Sequence, residues 1–342
     1  MRVLYVKAPY QFEMKEVEIP RPGDNEVLID VRACAVCGTD IHTAATDAEE
    51  FQSFGHEIAG TVQENGPGSR RFQKGDKVIV ESGTFCHVCE NCRNGRPDLC
   101  THGSKILKDL KIKGYSDYMV VQEQALVPFD ELSYEEAALV EPLGVAMDLF
   151  YTTGIELNDD VAVVGLGPIG LMTIALARAA GARNIYAIQR NGRSKARIEL
   201  AKKLGVTDVI LLSDIDVLSY PFPRGGVNKI MITAPPTVIP DMMKITLYGS
   251  VISFLGTDLP HGQITFNANY FHFKKLQLRA SYAVPALWFP RALELLKSGV
   301  VNPKDFITHT FPLEKTEEYL KKQRDDISDV IKMVMVKTKQ SD

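Results

Sequence analysis

Long apolar runs are missing from this chain. The longest, Val161 to Ala177, is interrupted by Gly165, Gly167, Pro168 and Gly170 and is followed by Arg178, which argues against a membrane span. The opening residues, Met1-Arg2-Val3-Leu4-Tyr5-Val6-Lys7, hold no apolar core of signal-peptide length. There is no basic tail, and a formal net charge of −4 speaks against a nucleic-acid partner. Low-complexity tracts and internal repeats are also absent. A cytoplasmic protein with reduced thiols is expected, with no membrane partner. At 342 residues, two domains are expected, each able to bury its own core.

Cysteine is scarce too, at six residues, but these fall in two groups, Cys34 with Cys37 and the four from Cys86 to Cys100. Cys86, Cys89, Cys92 and Cys100 form C-x2-C-x2-C-x7-C. Two disulfides are the plain alternative, yet clustered cysteines in a large chain of this kind point to metal. Four thiolates at short spacings on one loop suit a closed, tetrahedral, structural zinc. Upstream, Cys37 and the run Gly55-His56-Glu57 offer sulfur, nitrogen and oxygen donors for a second zinc with an open position.

The chain changes character near residue 140. Before it, short apolar runs (Val27 to Val31, Ile58 to Val62, Lys77 to Val80, Tyr118 to Val121) are separated by turn signals such as Pro20-Arg21-Pro22-Gly23 and Gly75-Asp76. From Asp160 onward, apolar strands alternate with helical patterns. Val161 to Val164, Ile185 to Ile188, Val209 to Leu212, Ile230 to Thr233, Val251 to Leu255 and Leu276 to Leu278 predict an α/β, doubly wound parallel sheet. Helices are expected at Pro290 to Ser298 and Leu313 to Arg324, then a strand at Val330 to Val336 that returns to the first domain. The predicted division is 1–140 with 280–342 for a discontinuous β-rich domain, and 141–279 for a dinucleotide domain inserted in it.

Gly165-Leu166-Gly167-Pro168-Ile169-Gly170 follows the strand Val161 to Val164 and opens the helix Leu171 to Ala179. In that setting the glycines permit a tight turn and close approach of backbone to a pyrophosphate resting on the helix N-terminus. What is missing is the acid that normally ends the second strand and accepts from the ribose 2′-OH of NAD. No acidic residue occurs between Asp160 and Glu199; the strand ends instead in Gln189-Arg190-Asn191-Gly192-Arg193. Arg190 and Arg193 suit a 2′-phosphate, so NADP(H) is favoured over NAD(H). The other reading leaves both arginines in solvent, with Gln189 serving the ribose of NAD.

Cys37-Gly38-Thr39-Asp40-Ile41-His42, Gly55-His56-Glu57, the four-cysteine ladder, Glu141-Pro142-Leu143 and Gly165-x-Gly167-x-x-Gly170 occur in one order. Together they resemble the zinc-containing medium-chain alcohol dehydrogenases over nearly the whole chain, and the Glu-Pro-Leu segment resembles the polyol branch, with its sorbitol and threonine dehydrogenases. The resemblance implies a GroES-like catalytic domain beside the Rossmann domain, one catalytic and one structural zinc per chain, and a homodimer or homotetramer built through the nucleotide domain, where edge strands near Val251 to Leu255 and Leu276 to Leu278 are expected to continue the sheet. It implies Cys37 and His56 as catalytic-zinc ligands, with Glu57 and Glu141 each either a ligand or a partner of the zinc-bound water. Thr39 is placed like the family's relay hydroxyl, beside the cofactor, and His42 like the histidine further along that relay.

The implied activity is hydride transfer between NAD(P) and a secondary alcohol of a polyol or sugar derivative, giving the ketone. A threonine-type amino-alcohol dehydrogenase is one alternative, and a non-catalytic zinc-stabilised NADPH-binding protein another. Three departures stand out, the first two on the substrate side. Thr43 to Phe54 is short and acidic; Ala283-Val284 stands where the sorbitol enzymes carry an Arg-Tyr pair; and Lys113-Gly114-Tyr115 replaces the usual Gly-Gly-Phe/Tyr. Phe85, just before the zinc lobe, either lines the pocket or is core.

Overall fold

In the computed structural model of the chain, residues 1–103, 106–258, 261–282 and 285–337 are described. The chain forms two compact units, Met1–Gly144 with Val284–Asp342, and Val145–Ala283.

The first unit begins with strands β1 (Arg2–Lys7) and β2 (Gln11–Glu16), an antiparallel hairpin extended by the two-residue β4 (Gln52–Ser53). Between them in the chain runs the long β3 (Glu26–Ala35). It is the spine of a seven-stranded sheet with β5 (Glu57–Asn65), β6 (Lys77–Val80), β7 (Tyr118–Gln122) and β8 (Leu126–Pro128). Its apolar positions feed a core that includes Val27, Ile29, Ile58, Val62, Met119 and Tyr115. That core fixes the register of β3 on β5, since a slip of one residue would turn Ile29 and Val31 to the opposite face.

The second unit is a six-stranded parallel sheet. Its strands are β9 (Asp160–Val164), β10 (Asn184–Gln189), β11 (Asp208–Leu211), β12 (Val227–Ile232), β13 (Thr246–Phe254) and β14 (Gln277–Ala280), in the order β11-β10-β9-β12-β13-β14. Every residue of β9 is buried, as expected of an inner strand covered on both faces. The order reverses between β9 and β12, so the loop leaving β9 lies at the switch point where such sheets take their ligands. One correction concerns the edge. The sequence pattern suggested both Val251 to Leu255 and Leu276 to Leu278 as edge strands, but β13 lies inside, between β12 and β14. Among the described residues, β14 alone has a free side at that end of the sheet.

The chain then returns to the first unit. Strand β15 (Ile307–Phe311) pairs in parallel with β16 (Lys332–Val336), and β16 lies antiparallel to β3, with Val334 opposite Ala35. Among the described residues, no helix is long and apolar enough to cross a membrane.

Candidate metal centre and nucleotide loop

The end of β3 and the start of β5 deliver the donor atoms of one cluster. Cα register places Ala35 opposite Glu57, so Cys37, two residues past the pairing, is brought beside His56 and Glu57. Ligand atoms of Cys37, His56 and Glu57 lie within 4.8 Å of one another. His56 and Glu57 are buried at 4% and 1% exposure, whereas Cys37 is half-exposed, so the cluster has one accessible side. A short helix, Gly38–His42, starts directly after Cys37, and the Asp40 carboxylate accepts from the Cys37 backbone N–H at 2.9 Å and from the Tyr115 hydroxyl at 3.2 Å. Its other oxygen is 3.9 Å from Nδ1 of His56, a buried nitrogen with no hydrogen-bond partner.

Electrostatically the cluster is built for a cation. Burial alone disfavours a charged imidazolium, but Cys37, Glu141 and Asp40 outweigh it and raise the His56 pKa well above its usual value. Burial pushes the Glu57 carboxyl up to about 7, against the pull of Lys332. Glu141 falls outside the 4.8 Å group. It sits in the helix Val140–Thr153, buried, accepting from the Ser82 hydroxyl at 2.9 Å. Thr39 is exposed, its hydroxyl 3.6 Å from the Cys37 sulfur, and His42 is exposed at the end of the same short helix.

The four remaining candidates meet in a second cluster. Cys86, Cys89, Cys92 and Cys100 are unbridged thiols whose sulfurs all lie within 4.8 Å, with Cys86 and Cys92 4.0 Å apart. A tetrahedral zinc with bonds of about 2.3 Å separates its sulfurs by about 3.8 Å, so the cluster fits that ion. Backbone N–H groups of Cys86 and Cys89 point at the sulfurs of Cys100 and Cys86, 3.4 and 3.3 Å away. Such donors hold the Cys100 thiol down to about 6. Phe85, half-buried beside this lobe, packs edge-on against His87 at 6.1 Å.

In the second unit each glycine of the loop has its own steric reason. Gly165 has φ +97°, and a Cβ there would meet Thr233 Oγ1 at 2.7 Å. A Cβ on Gly170 would fall 2.0 Å from the Gly165 carbonyl oxygen, where helix packs on strand. Gly167 is different: nothing lies within 4 Å, so its bare backbone faces open space at the N-cap of the helix Pro168–Ala179. Turn, approach and packing are the three jobs a dinucleotide loop assigns to its glycines. Pro168 opens the helix, Ile169 is half-buried and the Leu166 side chain is buried. The Leu166 N–H donates to Gln189 Oε1 at 3.0 Å, which ties the end of β10 to the loop. Arg190 and Arg193 are both exposed just beyond it.

Three polar residues of the first cluster escaped the sequence reading of the site. Asp40 was within a quoted motif, but its contact with His56 depends on the fold. Ser82 carried no signal. Lys332 did carry one, as a lone cation in the apolar run Val330 to Val336. Ala283-Val284, the departure from the sorbitol pattern, lies outside the described residues. Lys113 is buried, and its lowered pKa follows from burial, opposed by Asp40.

Fold and clusters define a two-unit, zinc-type nicotinamide-dependent dehydrogenase. Comparison with known proteins agrees. The family described as alcohol dehydrogenase GroES-like domain matches residues 23–131, and that described as zinc-binding dehydrogenase matches residues 168–298. The L-threonine 3-dehydrogenase of Pyrococcus horikoshii is 34% identical over 339 residues, covering 92% of this chain and 93% of that protein. The sorbitol dehydrogenase of Bacillus subtilis is 29% identical over 325 residues, covering 91% and 90%. A crystal structure of the 2R,3R-butanediol dehydrogenase from Bacillus subtilis superposes with a TM-score of 0.85 at 25% identity, covering 98% of this chain and 99% of that one. The chain belongs to the zinc-containing medium-chain dehydrogenase family, in its polyol and threonine branch.

Proposed function

We propose that this protein oxidises the secondary alcohol of a polyol or sugar derivative to its ketone, with NADP(H) preferred over NAD(H). The observation that carries this reading is the cluster of Cys37, His56 and Glu57 with one accessible side. With zinc held there, the site supplies a Lewis acid that acidifies an alcohol at the open position, and the nicotinamide accepts hydride.

The chain's own residues do the rest. Cys37 and His56 hold the ion, and Asp40 holds the Cys37 backbone N–H while its other oxygen lies 3.9 Å from the His56 ring as a counter-charge. Thr39, beside the Cys37 sulfur, takes the alcohol proton and His42 passes it outward. Glu141, anchored by Ser82, and Glu57, anchored by Lys332, are the two carboxylates that share the remaining role at the metal. Cys86, Cys89, Cys92 and Cys100 hold a structural zinc. Gly165 to Gly170 receives the pyrophosphate, Gln189 faces the ribose, and Arg190 and Arg193 hold the 2′-phosphate.

A threonine-type reaction is the second reading, favoured by the 34% identity to a threonine dehydrogenase. A binding protein without catalysis is disfavoured by the complete donor set of the first cluster. Turnover of a panel of polyols, sugar acids and amino alcohols with NAD and NADP tests all three; activity confined to amino alcohols would overturn the polyol reading. We also propose a homodimer or homotetramer assembled through the second unit. The free side of β14 and the exposed rings of Tyr248 and Phe273 support it. A monomer by light scattering at micromolar concentration would refute it.

A further inference from the structure

Adjacent strands deliver the donors of the first cluster, and one more side chain arrives with them. Ala35 on β3 stands opposite Glu57 on β5, and Ile58 on β5 opposite Val80 on β6. Cys37 and His56 lie just past the first pair, and Ser82 lies two residues beyond Val80, at the same end of the sheet. Ser82 Oγ donates to Glu141 Oε1 at 2.9 Å, and the Glu141 carboxylate acts electrostatically on His56.

A serine hydroxyl has one hydrogen to give and two lone pairs to receive. That hydrogen is committed to Glu141, and among the described residues no group donates to the Ser82 oxygen. Ser82 is left as an acceptor, strengthened by the carboxylate behind it, because linked hydrogen bonds polarise one another. Exposure decides which of the two a ligand meets. Glu141 is 5% exposed, whereas Ser82, like Cys37, is half-buried. A molecule entering from the accessible side of the cluster reaches the serine oxygen first.

We propose that Ser82 is a specificity-determining residue whose Oγ accepts a hydrogen bond from the hydroxyl vicinal to the reacting carbinol, so that the site selects vicinal diols over monohydric alcohols. The inference rests on the polyol reading of the Cys37 and His56 site. A methylene in place of that hydroxyl would cover the Ser82 oxygen and leave it unpaired, which a site built for hydrogen bonding penalises. A carboxylate there would bring no hydrogen and would face the charge of Glu141.

The probes are 2,3-butanediol and 2-butanol, which differ by that one hydroxyl. Each is titrated calorimetrically into the zinc-loaded full chain saturated with NADPH, where alcohol and cofactor are both reduced and no hydride moves. Values of kcat/KM with NADP+ are measured beside them. The parent should favour the diol by about fivefold or more in both quantities, the order of one hydrogen bond's net contribution. Ser82→Ala should lose that ratio with its zinc content unchanged, and Ser82→Thr, which keeps the hydroxyl, should retain it. Loss of a merely structural bond to Glu141 would weaken both alcohols together and leave the ratio intact. A parent that binds the two alcohols alike, a ratio unchanged in Ser82→Ala, or a ratio lost in Ser82→Thr overturns the proposal. A parent that turns over neither alcohol and accepts amino alcohols refutes the polyol reading itself, a distinct result. Where Ser82→Ala fails to fold, Ser82→Gly takes its place.

Discussion

Two alanine substitutions in the glycine loop separate packing from ligand approach. At Gly170 an added Cβ would sit 2.0 Å from the Gly165 carbonyl oxygen and 3.1 Å from its carbon, both backbone atoms that no rotamer change can move. The helix Pro168–Ala179 must then back away from β9 by more than an ångström. Overpacking of this kind costs about 1–3 kcal/mol. For a unit of this size, that corresponds to a fall in melting temperature of roughly 3–10 °C. At Gly167 the same Cβ meets nothing within 4 Å and the backbone φ of −67° is ordinary for alanine. Gly167→Ala should therefore melt within about 1 °C of the parent.

Their effects on cofactor should be opposite in proportion. The methyl group at Gly167 would occupy the space through which a pyrophosphate approaches the helix N-terminus. A loss of at least tenfold in NADP(H) affinity, about 1.4 kcal/mol, is expected. Gly170→Ala should lose affinity only together with stability. Thermal melts by circular dichroism and titration of NADPH fluorescence give both numbers for each variant. If Gly167→Ala bound NADPH as tightly as the parent, the open space at Gly167 would not be the cofactor cradle and the assignment of the loop would be wrong.

Cys37→Ser or His56→Ala should each lose one zinc per chain and essentially all turnover with the fold retained, whereas Cys92→Ser should lower the melting temperature; mass-spectrometric metal analysis with thermal melts checks the pair. The parent should show a lower KM for NADP(H) than for NAD(H), with Arg190→Ala cutting that preference about tenfold or more and Gln189→Asp turning it toward NAD; equal or better kinetics with NAD in the parent would put the arginines in solvent. Burial holds the Glu81 carboxyl up to about 7, so the folded state keeps a proton that the unfolded chain has released above its ordinary value of 4.5. That contribution to stability is full below pH 4.5 and is lost as pH rises toward 7. Glu81→Gln should flatten denaturant-measured stability over this window and gain about 1–3 kcal/mol on the parent at pH 8; an unchanged slope would mean Glu81 is ionised throughout.

What could be read from the sequence follows from how local each cause is. The loop from Gly165 to Gly170 was legible because its demands are steric and lie within six residues and the strand before them. β9 and β10 were legible because inner parallel strands are covered on both faces and read as unbroken apolar runs. β2 was not, since most of its residues face solvent and its pattern, Gln-Phe-Glu-Met-Lys-Glu, has no buried side to mark it. The zinc-type donors could be picked out by type and spacing, but their surroundings could not. Lys332 and Glu57 are 275 residues apart, and only the pairing of β16 with β3 brings the lysine to the ligand segments. Strand order is likewise invisible in the chain, which is why β13 passed for an edge.

The seat of β16 bears on how the protein is made. Its place in the seven-stranded sheet, between β15 and β3, belongs to a segment that leaves the ribosome after all of Val145–Ala283 has been synthesised. Until then β3 has one flank paired with β5 and the other paired with β7 over Glu26–Asp30 only, which leaves the backbone donors and acceptors next to Cys34 and Ala35 exposed. Nascent first-unit chains are thus open to wrong strand partners for the whole time the second unit is being translated and folding. Pairing across some 300 residues also makes completion of this sheet a slow, late event. A circular permutant that places the segment from β15 to β16 ahead of β1 would remove the wait, and should refold faster with less aggregation than the natural order.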